Sequence, residues 1–269
     1  MKAVVVGEFG GPEQLRVEQV ADPVPGHGQI RVVVHAAGVN PVDTQNRADG
    51  SWAGLHAPCI LGYDIAGVVD FTGPGVTEFR PGDRVMAMTH FPDGAGGYAE
   101  LAVVDAGLAA PIGPATSMTQ AAAAPLAAGT AWTILARLAL PAASRLLVLG
   151  ASGGVGLFLL QLAAQRGIEV TAAGRQAMHQ QMRALGAANC VDYTRENLTR
   201  RTLSWPTARS MPSLTWSADG LWRESPEPCG PGGKPPLSPL RNSTWTRCWT
   251  RTSPSTASSS KTTASGPAR

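Results

Sequence analysis

The chain has 269 residues, room for one large domain or two of ordinary size, and a formal net charge of +3. That charge sums two unlike pieces: residues 1–200 hold 13 Lys and Arg against 16 Asp and Glu, and residues 201–269 hold 9 against 3, so it points to no nucleic-acid partner. No apolar run reaches the roughly 18–20 residues that cross a bilayer, no secretory signal opens the chain, and Cys59, Cys190, Cys229 and Cys248 form neither a CxxC pair nor a metal-ligand spacing, which together predict a cytoplasmic protein with reduced thiols and no membrane partner.

The first part reads as short strands and turns. Ala3, Val4, Val5 and Val6 form an apolar run ended by Gly7, residues 29–36 are β-branched and partly alternating, and residues 65–69 are a third strand candidate. Turn signals at residues 23–26, 72–75 and 81–83 separate them, and this punctuation by Gly and Pro predicts a β-rich, barrel-like unit. Near residue 117 the texture changes. Ser117 is an N-cap candidate with Gln120 completing a capping box, and helical signals run on to Leu140, with Pro125 and Gly129 as interruptions. Next come a strand over residues 145–149, a glycine loop over 150–156, and a helix over 157–166 that is apolar on most faces. A strand over 168–173, a helix over about 177–185 stopped by Gly186, and a short strand over 189–193 complete the series. The order β-α-β-α-β with short links is the opening half of a doubly wound parallel sheet. Past about residue 199 the pattern stops. Residues 201–269 contain no Val, Ile, Phe or Tyr but 13 Ser, 10 Thr and 10 Pro, so little regular structure is expected there.

A pyrophosphate needs backbone N–H donors at short range. Gly150, Gly153 and Gly156 recur every three residues, and with Ala151, Ser152, Gly154 and Val155 they join a strand to a buried helix whose positive end faces the loop. In that setting the loop predicts dinucleotide binding. Sites for NAD tend to place an acid at the end of the following strand. Here Gly174 and Arg175 stand there, and Arg175 is the residue to pair with a 2′-phosphate. NADPH is therefore the expected cofactor, with NADH as the alternative.

Several further segments fall in a familiar order: residues 36–43 (Ala36, Ala37, Gly38, Val39, Asn40, Pro41, Val42, Asp43), 61–69, 81–85, 96–100, 125–132, the loop at 151–156, and Leu185-Gly186-Ala187. Over about residues 1–198 the chain resembles the zinc-independent quinone oxidoreductase branch of the medium-chain dehydrogenase/reductase superfamily. The resemblance implies an α/β chain with an N-terminal β-rich GroES-like catalytic domain (1–118) and a partial, truncated Rossmann-like parallel-sheet domain (119–199). It implies hydride transfer from NADPH to a small quinone or enone, with Asn40, Asp43 and Thr130 near the nicotinamide and Tyr193 against the cofactor. It also implies that intact relatives are homo-oligomers. Zinc-dependent relatives carry a Cys near position 40 and a His-Glu pair at 63–64; this chain has Asn40, Tyr63 and Asp64, so no zinc is expected. Two departures stand out: Gln45 where several relatives have a tyrosine, and Met178 where some have a phosphate-binding lysine.

The family's continuation past Tyr193, a segment like D-x-V-x-D-x-V-G-G, is missing. Read one base earlier, the codons of Met211 and Pro212 force Ala and those of Trp216 and a TCN-coded Ser217 force Val. With G/C-favoured third bases, the stretch 210–219 can then read as that motif. A frameshift between about 198 and 204 accounts for the change in composition, and the expected result is a disordered, out-of-frame tail (200–269) beside a bare strand edge. Two other readings stay open: a non-catalytic nucleotide-binding or interaction protein, and a nonfunctional product.

Overall fold

The structure, a computed structural model, describes residues 1–51, 53–90 and 94–196, together with the backbone of 213–216 and 222–225. Among these, β1 (Lys2–Val6) pairs antiparallel with β2 (Leu15–Gln19), and β3 (Gln29–Gly38) is the longest strand. The chain then enters α1 (Pro41–Asp49), a helix the hydrophobic pattern does not announce. Pro41 stands in its first turn, and Gly50 closes it in the left-handed region at φ 68°. The strands β4 (Cys59–Ile60), β5 (Asp64–Thr72), β6 (Arg84–Met88), β7 (Leu101–Asp105) and β8 (Ala109–Pro111) follow. Strand β4 adds to β1, giving the order β2-β1-β4, and the others form an antiparallel sheet ordered β7-β3-β5-β6-β8.

Alternation decides which face of that sheet is buried. Ile30 and Val32 of β3 are fully buried with Ile65, Val69, Val85 and Val104, whereas Val33 points outward. The β3–β5 ladder shifts register between Arg31 and Val32 and again between Val34 and Ala36, and such irregularities bend a sheet toward closure. The expected barrel-like, β-rich unit is present.

The helical segment after residue 117 splits in two. In α2 (Met118–Ala122), Ser117 and Gln120 form the expected capping box: the Gln120 N–H donates to Ser117 Oγ at 3.2 Å and the Ser117 N–H to Gln120 Oε1 at 3.0 Å. Pro125 does not interrupt a helix. It opens α3 (Pro125–Leu138), where its missing N–H costs nothing, and Gly129 lies within that helix. Next come β9 (Arg145–Leu149), α4 (Gly154–Gln165), β10 (Glu169–Ala173), a single 3-10 turn over Gln176–Met178, α5 (His179–Ala184) and β11 (Ala187–Val191). Helix α4 starts three residues before the expected position. Strand β11 ends two residues early, leaving Tyr193 in the turn beyond it. Strands β9, β10 and β11 are parallel, with Leu146 opposite Val170 and Leu149 opposite Ala173. Leu146, Val148, Leu159, Leu160, Val170 and Met182 close the core between this sheet and its helices.

The tail departs from expectation. Strand β12 (Ser213–Trp216) runs parallel to β9, with Ser213 opposite Leu147 and Leu214 opposite Val148, and β13 (Trp222–Ser225) pairs antiparallel with β12. The sheet order is β11-β10-β9-β12-β13, so the edge of β9 expected to be bare carries a strand. The physical reason is that an open parallel edge offers unpaired N–H and C=O groups to any backbone, and Leu214, Thr215, Trp216 and Trp222 are residue types that strands accept. The rest of the tail, with the expectation of disorder that falls on it, lies outside the described residues. No helix among the described residues is long and apolar enough to cross a membrane.

Leu160 is fully buried. Leu160→Ala should lower the unfolding free energy by about 2–5 kcal/mol, whereas Val24→Ala, at a position 82 % exposed, should change it by under about 0.5 kcal/mol. Urea unfolding of the full chain measures both.

Candidate functional site

Because β9 and β10 are parallel and in register, their carboxyl ends emerge side by side. After Leu149 the chain turns at Gly150 (φ 67°), the buried Ala151 donates its N–H to the Ala173 carbonyl at 3.3 Å, and the Gly153 N–H returns to the Gly150 carbonyl at 3.0 Å. Gly153 is the N-cap of α4 and brings no capping side chain. The Leu157 N–H donates to the Gly153 carbonyl at 2.9 Å, so the N–H groups of Gly154, Val155 and Gly156 precede the first intrahelical bond and face outward as donors. A Cβ at Gly156 would stand 2.6 Å from the Gly150 carbonyl oxygen, so only glycine lets the helix close on the turn. On the neighbouring strand end, Gly174 is buried, and a Cβ there would lie 3.7 Å from Ser152 Oγ.

Arg175 follows, exposed, and among the described residues its guanidinium makes no ion pair. The turn it opens is held by Asp192, whose Oδ2 accepts from the Gln176 N–H at 3.1 Å. Asp192 Oδ1 accepts from the Thr194 N–H at 2.9 Å and from Thr194 Oγ1 at 2.6 Å. These bonds, the Thr194 hydroxyl first, keep the Asp192 carboxyl below the usual carboxylate range. Tyr193, between Asp192 and Thr194, is about half exposed. The structure thus gathers residues 151–156, Gly174 and Arg175 at the carboxyl end of one sheet, with the Tyr193 turn tied to it through Asp192. Sequence reasoning missed Asp192. Its signal was an Asp followed two residues on by Thr directly after a strand, the pattern of an Asx turn.

Asn40 and Asp43 belong to the start of α1, and Thr130 to α3. Asn40 caps α1, and its N–H donates to Asp43 Oδ2 at 2.8 Å. Asp43 is 3 % exposed; its Oδ1 accepts from the Gly62 N–H at 3.2 Å, and the nearby Tyr98 hydroxyl donates to the Gly38 carbonyl at 3.4 Å. The Asn40 amide donates one hydrogen to Asp64 Oδ2 at 2.9 Å. Asp64 is 1 % exposed, and its other oxygen accepts from the Leu126 N–H at 2.9 Å, in the first turn of α3. Thr130 lies one turn further along α3, and its hydroxyl makes no hydrogen bond among the described residues. The same first turn approaches the glycine loop, since a Cβ at Gly154 would stand 3.9 Å from Ala127 Cβ. Asp64, singled out from the sequence only as part of a motif, is what joins these pieces.

Burial pushes the Asp64 carboxyl up to about 7, against the opposing pull of its Asn40 and Leu126 hydrogen bonds, with Asp43 nearby adding to the rise. Burial also raises Asp43. The Tyr98 phenol is raised by burial and by the Asp43 charge, and stays neutral. Tyr63, in the place of a zinc-binding histidine, is fully buried and its hydroxyl accepts from Asn46 Nδ2 at 2.8 Å. Among the described residues no three His, Cys, Asp or Glu side chains come together as a metal site. A cavity of about 540 Å³ lies elsewhere in the β-rich part, against Val5, Val20, Cys59, Thr89 and Leu101, and touches none of these candidates.

The described chain thus joins a bent antiparallel β unit to a parallel α/β sheet with a glycine turn at its strand ends. Residues 26–114 match the alcohol dehydrogenase GroES-like domain. The chain is 40 % identical over 173 residues to a quinone oxidoreductase of Rattus norvegicus, covering 63 % of this chain and 51 % of the relative. It is 35 % identical over 208 residues to a chloroplastic NADPH-dependent alkenal/one oxidoreductase of Arabidopsis thaliana, covering 74 % and 54 %. It superposes on the Escherichia coli quinone oxidoreductase complexed with NADPH at a TM-score of 0.67 and 29 % identity, covering 75 % of this chain and 61 % of that one. The chain belongs to the medium-chain dehydrogenase/reductase superfamily, in its quinone oxidoreductase branch, with a GroES-like N-terminal domain. It spans about half the length of the curated relatives it matches.

The raised Asp64 carboxyl makes stability depend on pH in a defined direction. Between about pH 4 and pH 7 the folded chain keeps a proton on Asp64 that the unfolded chain has released, so this group's contribution falls as pH rises across that window. Asp64→Asn removes the effect. Urea unfolding at several pH values should show the stability of the wild type, relative to the variant, declining from pH 4 to pH 7 and levelling above about pH 8; a difference independent of pH would contradict the assignment.

Proposed function

We propose that this chain, or the enzyme its first 198 or so residues encode, transfers hydride from NADPH to a small quinone or enone without a metal. The observation that carries this is the uncapped start of α4: three outward N–H donors behind a glycine turn, beside a buried Gly174 and an unpaired Arg175. Such a start accepts a pyrophosphate, and Arg175 supplies the charge for a 2′-phosphate. The relatives described as quinone and alkenal/one oxidoreductases support the substrate class, and the NADPH-bound bacterial structure supports the cofactor.

When bound, NADPH supplies the hydride, and the protein's work is to hold the reacting carbons together in a dry cleft. Asn40 keeps one amide hydrogen beyond its bond to Asp64, free to donate to a carboxamide or a quinone oxygen. Thr130 offers a hydroxyl from the same wall, and Asp43 fixes Asn40 through its N–H. Tyr193 stands at the adenosine side. Asn40, Tyr63 and Asp64 occupy the places of zinc ligands but are spent on hydrogen bonds to one another or to Asn46, which supports metal-free chemistry in a cytoplasmic enzyme.

The division into a catalytic domain over 1–118, a partial nucleotide-binding domain over 119–199 and an out-of-frame tail belongs to the same reading. The curated relatives run to about twice the matched length, and the Val and Ile of the body vanish at residue 201. Sequencing the coding DNA around codons 195–220 tests the frame directly: one base gained or lost supports it, and an intact frame in close homologues sharing this tail rejects it. Cofactor binding without turnover would favour a nucleotide-binding role for the chain as it stands.

Purified protein, full-length and frame-corrected, should oxidise NADPH in the presence of a simple quinone, and dialysis against a chelator should leave the rate unchanged. Loss of a stoichiometric metal together with activity would refute the metal-free reading. Arg175→Ala should weaken NADPH binding by on the order of 1–2 kcal/mol and leave NADH binding nearly unchanged, as titration calorimetry reads; equal losses would remove Arg175 as the phosphate reader.

A further inference from the structure

Asp64 has no role in the chemistry proposed above, yet it is among the most buried charged groups of the described chain and joins three segments far apart in sequence. Its Oδ2 takes the Asn40 amide, 24 residues away, and its Oδ1 takes the Leu126 N–H, 62 residues away. Strand pairing fixes it from below, since it is the first residue of β5 and lies opposite Gly38 at the end of β3. Gly38 has to be glycine for this: a Cβ there would stand 2.9 Å from Asp64 Cβ and 2.5 Å from the Ala122 carbonyl oxygen. The strand that presents Asp64 is thereby pressed against the α2–α3 corner. From Leu126 the connection reaches Thr130 four residues on, along the same face of α3, and reaches Gly154 through Ala127.

We propose that Asp64 is a positioning residue of the candidate site, one carboxylate that sets the Asn40 amide against the amino end of α3 and so fixes the separation of Asn40, Thr130 and the glycine loop. The catalytic part of the proposal rests on the function inferred above; the positional part does not.

The charge state bears on the clamp. An ionised carboxylate accepts from both the Asn40 amide and the Leu126 N–H, and the positive end of α3 favours the charge. A protonated one turns an oxygen into a donor and serves one partner poorly. The titratable groups near Asp64 are Asp43, from the start of α1, and Tyr98, whose hydroxyl donates to the Gly38 carbonyl; from α3 the Leu126 N–H reaches it. Closing the clamp also takes this carboxyl out of water, and that cost outweighs the two hydrogen bonds and raises its proton affinity, so the clamp opens more easily when Asp64 is ionised.

The test has two arms. In the full chain, the protection factor at Leu126 and the next turn of α3 should fall as pH rises from about 5 through about 7 and level above about 8, because opening the clamp returns Asp64 to water and releases its proton. Asp64→Ala should speed exchange there roughly tenfold at pH 8, the scale of a lost buried charge-assisted bond, and abolish the pH profile. Asp64→Asn, which keeps an acceptor for Leu126, should restore the protection without the profile. A wild-type profile flat from pH 5 to pH 9, or unchanged exchange in Asp64→Ala, would overturn the proposal; where Asp64→Ala fails to fold, the wild type and Asp64→Asn decide it. In the frame-corrected enzyme, Asp64→Asn should lower kcat for quinone reduction several-fold with KM for NADPH nearly unchanged, since the nucleotide rests on the glycine loop. A rise in KM with kcat intact would overturn the catalytic part, while a wild type that turns over no quinone would remove the function and leave the exchange result to judge the clamp.

Discussion

A Cβ at Gly156 would stand 2.7 Å from both the Cα and the carbonyl carbon of Ala151, and 2.6 Å from the Gly150 oxygen. That contact seats the first turn of α4 on the end of β9, and most of the nucleotide side of the molecule follows from it. It leaves the N–H groups of Gly154, Val155 and Gly156 beyond the carboxyl end of β9, ahead of the first intrahelical bond. It also leaves Ser152 beside Gly174, so the loop and the end of β10 become one surface. The in-register pairing of Leu149 with Ala173 makes those ends coincide, and the apolar faces of Leu159, Leu160 and Ala163 hold the helix down. Packing sets up the site, and the backbone furnishes its donors.

The β-rich part is tied to this surface by a polar connection. Two buried carboxyls, Asp43 and Asp64, are expensive to remove from water, and each is offset by hydrogen bonds: Asn40 and Gly62 for the first, Asn40 and Leu126 for the second. An apolar contact would hold the two parts together equally well but would not orient an amide. The retained cost of burying Asp64 shows in its raised proton affinity, and the geometry obtained for it is a fixed Asn40 next to a fixed helix start. In the zinc-dependent branch the same three sequence positions are associated with a metal; here hydrogen bonds do the organising.

Much of this was legible in the sequence, and the parts that were not share a cause. The strands of the β unit, the glycine loop, the order β-α-β-α-β and the Ser117 capping box carry local signals, period or punctuation, and the fold has them. Helix α1 was missed because its inward residues are Val42, Asp43 and Asn46, so two of three buried positions are polar and the apolar stripe is absent. Its real signal was the cap: Asn40, then proline, then Asp43 reaching back. Helix α3 was misread at Pro125, where a start was taken for an interruption. The tail strands β12 and β13 were missed because composition argues from side chains, whereas an open strand edge recruits backbone. Asp64 sits in a recognised motif, but its partners lie 24 and 62 residues away, and no local pattern announces a contact at such separations. Arg175 was placed from a strand end and Tyr193 by resemblance, and the small shift in β11 leaves Tyr193 in the turn beyond the strand.

The most direct test is where NADPH lands on the chain. Amide exchange of the full-length protein, followed residue by residue with and without NADPH, should show new protection at residues 151–157 and 174–176, where the free N–H donors and the second strand end lie. NADH should protect 151–157 with less effect at 174–176. Protection confined to other segments, or none at 151–157 with saturating NADPH, would contradict the account.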